Sequence, residues 1–228
     1  MIQTFEWEYV FKFFPRLLKF VPITLLLWVL ILISGLLIGS LFALIRTKHI
    51  PVLEQIVRVI LSVVRGIPPL TQLFILYFGL PALLLKVGID ITKINGMWFV
   101  ILAYGLSNGA VISEILRGAF ASVGKGQEEA AYSVGMTGRA AYFRIMIPQA
   151  MVVALPNFSN LAIAALKNTS LAFSVGVVEI MTTANQLGAN SQHRMESYVA
   201  LAVVYYALYL LIKTGFNLVE KKAAYQKD

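Results

Sequence analysis

The sequence predicts an all-α integral membrane protein with five transmembrane helices, its amino terminus outside and its carboxyl terminus in the cytoplasm. The composition is the first observation, because 59% of the residues are hydrophobic and only 13% are charged. A soluble domain would carry about 25% charged residues. The second observation is a set of five long charge-free stretches, and the third is an uneven distribution of basic residues between the segments that join them.

The charge-free stretches supply the predicted spans, since a membrane-spanning helix needs about 20 mostly apolar residues. In order they are Phe20 to Ile45, Gly66 to Leu85, Ile94 to Ser113, Ile145 to Leu166 and Ser197 to Ile212. The aromatic and charged residues 4–19 suit an interfacial segment before the first span. The apolar run 170–178 is too short to cross, so we predict that it lies in the outer loop before the fifth span, where it could dip partly into the membrane.

The basic residues predict the orientation, because cytoplasmic loops carry an excess of Lys and Arg. With the amino terminus outside, twelve of them fall on the inner side: Arg46, Lys48, Arg58, Arg65, Arg117, Lys125, Arg139, Arg144, Lys213, Lys221, Lys222 and Lys227. Seven fall on the outer side: Lys12, Arg16, Lys19, Lys86, Lys93, Lys167 and Arg194. The net charge of +8 therefore indicates topology and not a nucleic-acid partner.

Several chemistries are excluded by the residue types present. The chain has no cysteine, so it forms no disulfide and has no thiol catalyst. His49 and His193 fall on opposite sides in the predicted topology, and we expect no metal site. The sequence has no phosphate-binding loop, so we expect no ATP hydrolysis and no cofactor in this chain.

A polar, glycine-containing segment between the third and fourth spans is the most informative part of the sequence. Residues 129–148 read EAAYSVGMTGRAAYFRIMIP. Glu128 and Glu129 lie in the first turn of a predicted short helix, where the helix dipole favours negative charge. Gly135 is placed to end that helix with a left-handed cap, and Thr137 to cap a second run. Ala130, Ala131 and Val134 form an apolar stripe suited to a partner's groove.

This segment resembles the EAA loop of the membrane subunits of binding-protein-dependent ABC importers, with Ile147 where Leu is commoner. The resemblance implies that a cytoplasmic loop, about residues 118–144, contacts an ATPase partner. The residues implied in that coupling are Glu128, Glu129, Ala130, Ala131, Val134, Gly135 and Arg139. The whole chain, 1–228, would be a single transmembrane domain.

Three further stretches resemble the permeases for polar amino acids in particular. They read RGIPPLTQLFILYFGLP from Arg65, SEILRGAFASVGKGQEEAA from Ser113 and LKNTSLAFSVGVVEI from Leu166. The resemblance implies a non-enzymatic permease in the bacterial cytoplasmic membrane. Its implied partners are a second permease copy or a paralogue, two ATPase subunits that bind ATP and Mg, and an external amino-acid-binding protein.

Polar residues within the predicted spans are the candidates for substrate contact, because each is costly in hydrocarbon unless it has a partner or lines a wet cavity. They are Gln72, Tyr77, Asn108, Asn157 and Asn160, together with Asn168, Thr169 and Ser170 just after the fourth span. The alternative is that they form hydrogen bonds between helices. For Glu114 we favour an ion pair with Arg117 one turn later. The adjacent prolines Pro68 and Pro69 predict a discontinuous second span, and Pro156 predicts a break in the fourth.

Asn168 carries a prediction about the substrate. Relatives often have aspartate at this position, so the neutral amide favours an amino acid with no net charge, such as glutamine or, preferably, cystine. The alternative is that Asn168 only caps a helix. A second candidate function, an ion-coupled secondary transporter, would need an inverted repeat and a carboxylate buried in the membrane. The sequence analysis identifies neither of these.

Overall fold

The structure is a computed structural model that describes residues 4–225. Lys227, one of the basic residues assigned to the inner side, lies outside the described residues. The α-helices are α1 (Trp7–Thr47), α2 (Leu53–Gly66), α3 (Pro69–Phe74), α4 (Leu80–Leu85), α5 (Gly96–Ser122), α6 (Lys125–Ser133), α7 (Gly138–Ala141), α8 (Ile147–Asn168), α9 (Ile180–Ser191) and α10 (Arg194–Tyr225). Two π turns, Ile75–Gly79 and Tyr142–Met146, and a 3-10 helix, Thr169–Val175, complete the described secondary structure.

Within residues 4–225, four helical stretches are long and apolar enough to cross a membrane: α1, α5, the stretch from α7 to the 3-10 helix, and α10. The bent pair formed by α2 and the segment from α3 to α4 adds a possible fifth. Helices α1 and α5 are parallel, because Gly35 lies beside Asn108 and Gly39 lies beside Ile112. The chain between them must therefore return along the bundle. We call the end at which α1 and α5 both finish the loop end.

The double proline separates α2 from α3. Ile67, the residue before Pro68, is extended with φ −105° and ψ 135°, as steric contact with the following proline ring favours. The axes on the two sides of this break differ in direction by 117°. The predicted discontinuity is thus confirmed, although it lies at the loop end of the span. Since the segment from α3 to α4 runs along the bundle, α2 lies across it.

Two other prolines are accommodated by π turns. Each π turn ends two residues before a proline, Pro81 in one case and Pro148 in the other. A proline cannot donate to the carbonyl four residues earlier, and its ring clashes with that carbonyl, so a wider turn relieves the contact. The break that we predicted at Pro156 is wrong, because α8 continues through it. Pro156 removes one backbone hydrogen bond, and α8 tolerates this loss because the turns on either side keep their own backbone hydrogen bonds.

The prediction of a separate loop at residues 170–178 is also wrong, although the run enters the bundle as that prediction allowed. A 3-10 helix continues α8 as far as Val175, and Gly176 ends it with φ +77°. Ala172 and Val175 are buried with Phe99 and Val100 in the largest core cluster. The run is apolar because it packs inside the bundle.

Residues 7–19 are the first turns of α1 and not a separate interfacial segment. Val10, Phe13 and Leu17 are at most 4% exposed and pack with residues of α9 and α10. The whole of α1 has 41 residues, which corresponds to about 60 Å. This length exceeds the hydrocarbon core of a bilayer, about 30 Å, so its first turns are held by protein contacts.

Small residues allow α1 and α5 to pack closely. A Cβ atom added at Gly39 would lie 2.7 Å from the Gly109 carbonyl oxygen, and one added at Gly35 would lie 2.9 Å from Asn108 Cβ. Gly35 and Gly39 are four residues apart, as are Gly105 and Gly109. This spacing on both helices is typical of membrane helices whose backbones approach each other. This glycine seam fixes α1 against the bundle, and it was not among the features predicted from the sequence.

Candidate functional site

The carboxyl-terminal half of α8 exposes a polar stripe. Between Pro156 and Lys167, the exposed residues are Pro156, Asn157, Asn160, Ala164 and Lys167. Their spacing of three and four residues places them on one face of the helix. No hydrogen bond in the described part of the chain engages the Asn157 or Asn160 side chain. Amides facing hydrocarbon would stay unsatisfied at a cost of several kcal/mol, so this face borders water or a polar partner surface.

The polar stripe extends to Asn168, which is half-buried. Asn168 has helical dihedral angles, and its side chain makes no cap hydrogen bond to the 3-10 helix that follows. The capping alternative therefore lacks support. Thr169 is fully buried and donates to the Leu166 carbonyl at 2.7 Å. Ser170 donates to the Lys167 carbonyl at 2.7 Å. These two hydroxyls bond to their own helix.

The remaining three candidates lie apart from this stripe. Gln72 donates to the carbonyls of Val64 at 2.5 Å and Ile67 at 2.7 Å, so it joins α3 to α2 across the proline break. Asn108 is 5% exposed and lies in the glycine seam.

Tyr77 is half-buried and packs edge to face on Phe99, with 5.3 Å between the ring centroids. It lines an apolar recess of about 380 Å³ at the end opposite the loop. The structure therefore groups Asn157, Asn160 and Asn168 and leaves Gln72, Tyr77 and Asn108 elsewhere.

A buried carboxylate escaped the sequence analysis, and the inference that the bundle contains none is wrong. Glu179 is 0% exposed and accepts a hydrogen bond from the Thr182 amide at 3.0 Å. It also lies 3.4 Å from the Thr24 hydroxyl and 3.5 Å from that of Tyr205. Glu179 thus caps α9 and ties it to α1 and α10. The available signal was an acidic residue placed immediately before a helical run.

The loop between α5 and α8 has the predicted local structure. Gly135 has φ +80°. Its amide donates to the Tyr132 carbonyl at 2.9 Å, and the Met136 amide donates to the Ala131 carbonyl at 3.0 Å. These two bonds are the Schellman pattern that ends a helix at a left-handed residue. The Thr137 hydroxyl caps α7 by accepting from the Ala140 amide at 3.3 Å. The predicted cap at each position is confirmed.

The exposed part of the predicted apolar stripe, on α6 and the residues after it, is narrower than predicted. Val134 is 74% exposed, and Glu129, Ala130 and Arg139 are exposed as well. Ala131, by contrast, is 5% exposed and faces the fold itself.

Two side-chain hydrogen bonds involve α6, one within the helix and one to α8. The Tyr132 hydroxyl donates to the half-buried Glu128 at 2.8 Å, and this bond raises the pKa of Tyr132. The Gln149 amide donates to Gln127 at 3.1 Å, which links α6 directly to α8.

A charged cluster holds three helices together at the loop end. The predicted Glu114 to Arg117 pair is confirmed, with 3.1 Å between carboxylate and guanidinium. Glu114 also contacts Arg46 of α1 at 2.5 Å and lies 3.9 Å from Arg65 of α2. The carboxylate therefore joins α1, α2 and α5 around a cavity of about 450 Å³.

The structure combines apolar spans, an amide-bearing stripe inside one of them and a structured polar loop at one end. This combination defines a subunit of a membrane transport system. The chain belongs to the family of binding-protein-dependent transport system inner membrane components, whose family model matches residues 35–225.

Individual relatives agree with this assignment. The L-cystine transport system permease protein TcyL of Bacillus subtilis is 41% identical over 97% of this chain and 93% of its own length. The probable amino-acid permease protein YxeN of the same organism is 38% identical over 96% of each chain. A crystal structure of an amino acid ABC transporter with histidines superimposes with a TM-score of 0.84 at 27% identity, covering 96% of this chain and all of that one. The resemblance seen in the sequence is confirmed, and the protein is an amino acid ABC transporter permease embedded in the membrane.

Proposed function

We propose that this chain forms the translocation pathway of an ATP-driven importer for a polar amino acid. The proposed topology has five spans, with the amino terminus outside and both the carboxyl terminus and the EAA loop in the cytoplasm. The parallel arrangement of α1 and α5 supports five spans, because the segment from α3 to α4 has to return between them. The excess of basic residues at the loop end supports the orientation.

The polar stripe of α8 is the observation that carries this proposal. Asn157, Asn160 and Asn168 supply amides that can both donate and accept hydrogen bonds. The groups that every amino acid carries, a carboxylate and an ammonium, require such partners once they leave water. The stripe is exposed in the single chain, so a second permease copy or paralogue facing it would enclose a polar channel.

Coupling to ATP hydrolysis is proposed for the exposed part of α6 and the residues after it: Glu129, Ala130, Val134, Gly135 and Arg139. The buried Ala131 and the half-buried Glu128 would support this surface from beneath. Because Gln127 is bonded to Gln149 of α8, a force on α6 is transmitted directly to the helix that carries the polar stripe. Two ATPase subunits that bind ATP and Mg would drive the spans between inward-open and outward-open states, the latter receiving substrate from an external binding protein.

For the substrate we propose a neutral amino acid, with L-cystine first. The L-cystine permease TcyL is 41% identical over nearly the whole chain. Asn168 adds a chemical reason, because a neutral amide offers no counter-ion to a cationic side chain. We expect Asn168→Asp to shift competition toward L-arginine and L-lysine. Unchanged selectivity would overturn the role of Asn168 in substrate choice.

Reconstitution tests the function as a whole. Proteoliposomes containing this chain, its ATPase and its binding protein are expected to accumulate radiolabelled L-cystine only when ATP is present. An ion gradient without ATP should give no uptake. Accumulation driven by the gradient alone would favour an ion-coupled secondary transporter and overturn the proposal.

Substitution of Gly135 tests the coupling surface. Gly135→Val places a β-branched side chain at φ +80°, which such residues adopt only with strain. We expect loss of ATPase co-purification and of uptake while membrane insertion is retained. Gly126→Val is the matched control, because Gly126 lies in α6, the helix that Gly135 terminates, with open space around it and no positive φ. Normal uptake by the Gly135→Val complex would contradict the coupling role.

A further inference from the structure

Three arginines line the cavity of about 450 Å³ at the loop end, and the proposed function gives this cavity no role. The lining residues with polar side chains are Arg46, Arg58, Ser62, Arg65 and Glu114. Arg46 comes from the last turn of α1 and Glu114 from α5, while the other three belong to α2. The cavity therefore lies where three helices meet, and most of its charged lining is cationic.

The carboxylate in this lining is already shared among several cations. Glu114 accepts a hydrogen bond from Arg46 with one oxygen and from Arg117, at 3.1 Å, with the other. Arg65 lies 3.9 Å from the same carboxylate, which is too far for a hydrogen bond. The Arg65 side chain is 56% exposed, so its guanidinium has N–H groups available to another acceptor.

Arg58 adds to the positive charge of the site. It pairs with Glu54, with 3.1 Å between its Nε and a carboxylate oxygen, yet 65% of its side chain is exposed. Four arginines thus meet two glutamates around the cavity, since Arg117 is included through Glu114. Four positive and two negative charges leave an excess of two positive charges. Such an excess attracts an anionic ligand.

The faces of α2 show the depth at which these arginines lie. One face packs against α1 and α5. A second face carries Arg58 and Arg65, seven residues apart. On the opposite side from the arginines, Ile56, Val59 and Val63 are 49%, 63% and 51% exposed. Since α2 lies across the bundle, its apolar side is suited to the acyl region of a bilayer and its basic side to the headgroups.

From this arrangement we propose that the cavity binds the phosphate of an anionic phospholipid. Guanidinium groups form charge-assisted, bidentate hydrogen bonds with phosphate oxygens, and basic pockets between membrane helices are suited to anionic headgroups. A small anion from solution would use the arginines alone, whereas a phospholipid also places acyl chains beside the exposed apolar side of α2. The topology proposed above assigns this lipid to the cytoplasmic leaflet.

The bound phosphate would connect α1 to α2, because Arg46 belongs to one helix and both Arg58 and Arg65 to the other. A ligand that binds only the folded state raises stability. The anionic phospholipid is thus expected to stabilise the junction of α1, α2 and α5 and to take no part in substrate recognition.

The test is native mass spectrometry of the permease–ATPase complex in detergent, titrated with phosphatidylglycerol or with phosphatidylcholine. Both lipids carry a phosphodiester and two acyl chains, but the choline ammonium makes the second lipid neutral. The wild type is expected to bind phosphatidylglycerol about tenfold more tightly than phosphatidylcholine. Arg65→Gln should weaken binding of phosphatidylglycerol by about fivefold and leave that of phosphatidylcholine unchanged. Arg65→Lys should retain most of the preference.

Lys48→Gln is the matched control. Lys48 is exposed, follows the end of α1 directly and does not line the cavity. Its removal takes one positive charge from the same end of the molecule, so the wild-type preference should persist. A loss in Lys48→Gln as large as that in Arg65→Gln would show a general surface-charge effect and overturn the site.

Thermal melts separate lipid binding from a folding defect. Without added lipid, Arg65→Gln should melt at the wild-type temperature, because its contact with Glu114 is long and exposed. Phosphatidylglycerol should then raise the melting temperature of the wild type more than that of the variant. Equal increases in the two proteins would overturn the proposal.

Two further outcomes would overturn the lipid site. One is equal binding of the two lipids by the wild type, which is also the result expected if a second permease copy covers the cavity. The other is displacement of phosphatidylglycerol by inorganic phosphate, which would identify a site for a soluble anion. The proposed function is tested separately by uptake: a complex that binds phosphatidylglycerol selectively but imports no amino acid would overturn that function and leave the lipid site intact.

Discussion

The exposed face of α1 differs in chemistry from the exposed face of the carboxyl-terminal half of α8, although both belong to long helices of the bundle. Between Ile23 and Leu44, the exposed residues of α1 are Ile23, Leu26, Val29, Ile33, Leu36, Leu37, Ser40, Leu41 and Leu44. All of them except Ser40 are aliphatic. On α8, from Pro156 to Lys167, no exposed residue is a large aliphatic one, and the stripe carries two amides and an ammonium.

This difference shows which solvent each face meets. An aliphatic face is at no disadvantage in hydrocarbon, whereas each unsatisfied amide there costs several kcal/mol. The face of α1 is therefore suited to lipid, and the polar stripe of α8 to water or a polar partner surface. An exposed side chain in a single membrane subunit thus faces either lipid or a polar environment, and the residue types of the face distinguish the two cases.

The largest difference between the two faces is expected in membrane insertion, when the same charge is introduced on each face in a separate variant. Leu37 is 68% exposed on α1, and Leu37→Lys is expected to cost about 2.5–3.5 kcal/mol in membrane insertion. Asn160→Lys adds the same charge to the stripe, where water solvates it, so insertion should be nearly normal. The measurement is the inserted fraction of each variant in isolated membranes. Equal losses for the two variants would contradict the assignment of the faces.

The opposite side of α1 provides the second test, because it is packed against α5. Gly39→Val would place its Cβ within 2.6 Å of Ile112 Cβ, and we expect a loss of about 1–3 kcal/mol in stability from overpacking. Gly118→Val, at a position with open space, is the control. The melting temperature of the detergent-solubilised protein measures the effect. A Gly39→Val variant as stable as the control would show that the glycine seam is dispensable.

Removing an amide from the stripe should have a smaller effect, and on transport instead of stability. Asn160→Leu loses one hydrogen-bonding group of the path, which corresponds to about a two- to tenfold decrease in the rate of L-cystine uptake. The stability of the protein should be unchanged, because Asn160 makes no hydrogen bond within residues 4–225. Uptake at the wild-type rate combined with a lower melting temperature would mean that the amide is structural.

The smallest effect is expected at Ser40, the one polar residue on the exposed face of α1. Ser40→Leu makes this face uniformly aliphatic, so both uptake and stability should stay within about 0.5 kcal/mol of wild type. Uptake assays and thermal melts on the same preparation measure this. A marked loss of uptake would indicate that Ser40 faces a partner subunit and not lipid.

Local features of this chain were accessible from the sequence because they depend on neighbouring residues. Four predicted features involve groups within a few positions of each other: the left-handed cap at Gly135, the Thr137 cap, the break at Pro68 and the Glu114 to Arg117 pair. The amides of the stripe were also predicted as candidates, but on equal terms with Gln72 and Asn108. Hydrogen bonds to α2 and burial against α1 separate those two from the stripe.

The sequence by itself determined that this chain is a membrane protein of α-helices, that it carries an EAA loop, and that it is a permease related to amino acid importers. Hydropathy, capping residues and motif spacing are properties of consecutive residues, so no fold is needed to detect them. Only the tertiary structure decided which polar groups share a face, that Glu179 is buried, and that the Lys167 ammonium lies beside the Tyr209 ring of α10. These facts depend on how helices far apart in sequence pack against each other. The energy of a buried or membrane-facing charge is set by the groups that this packing places around it and not by its own residue type.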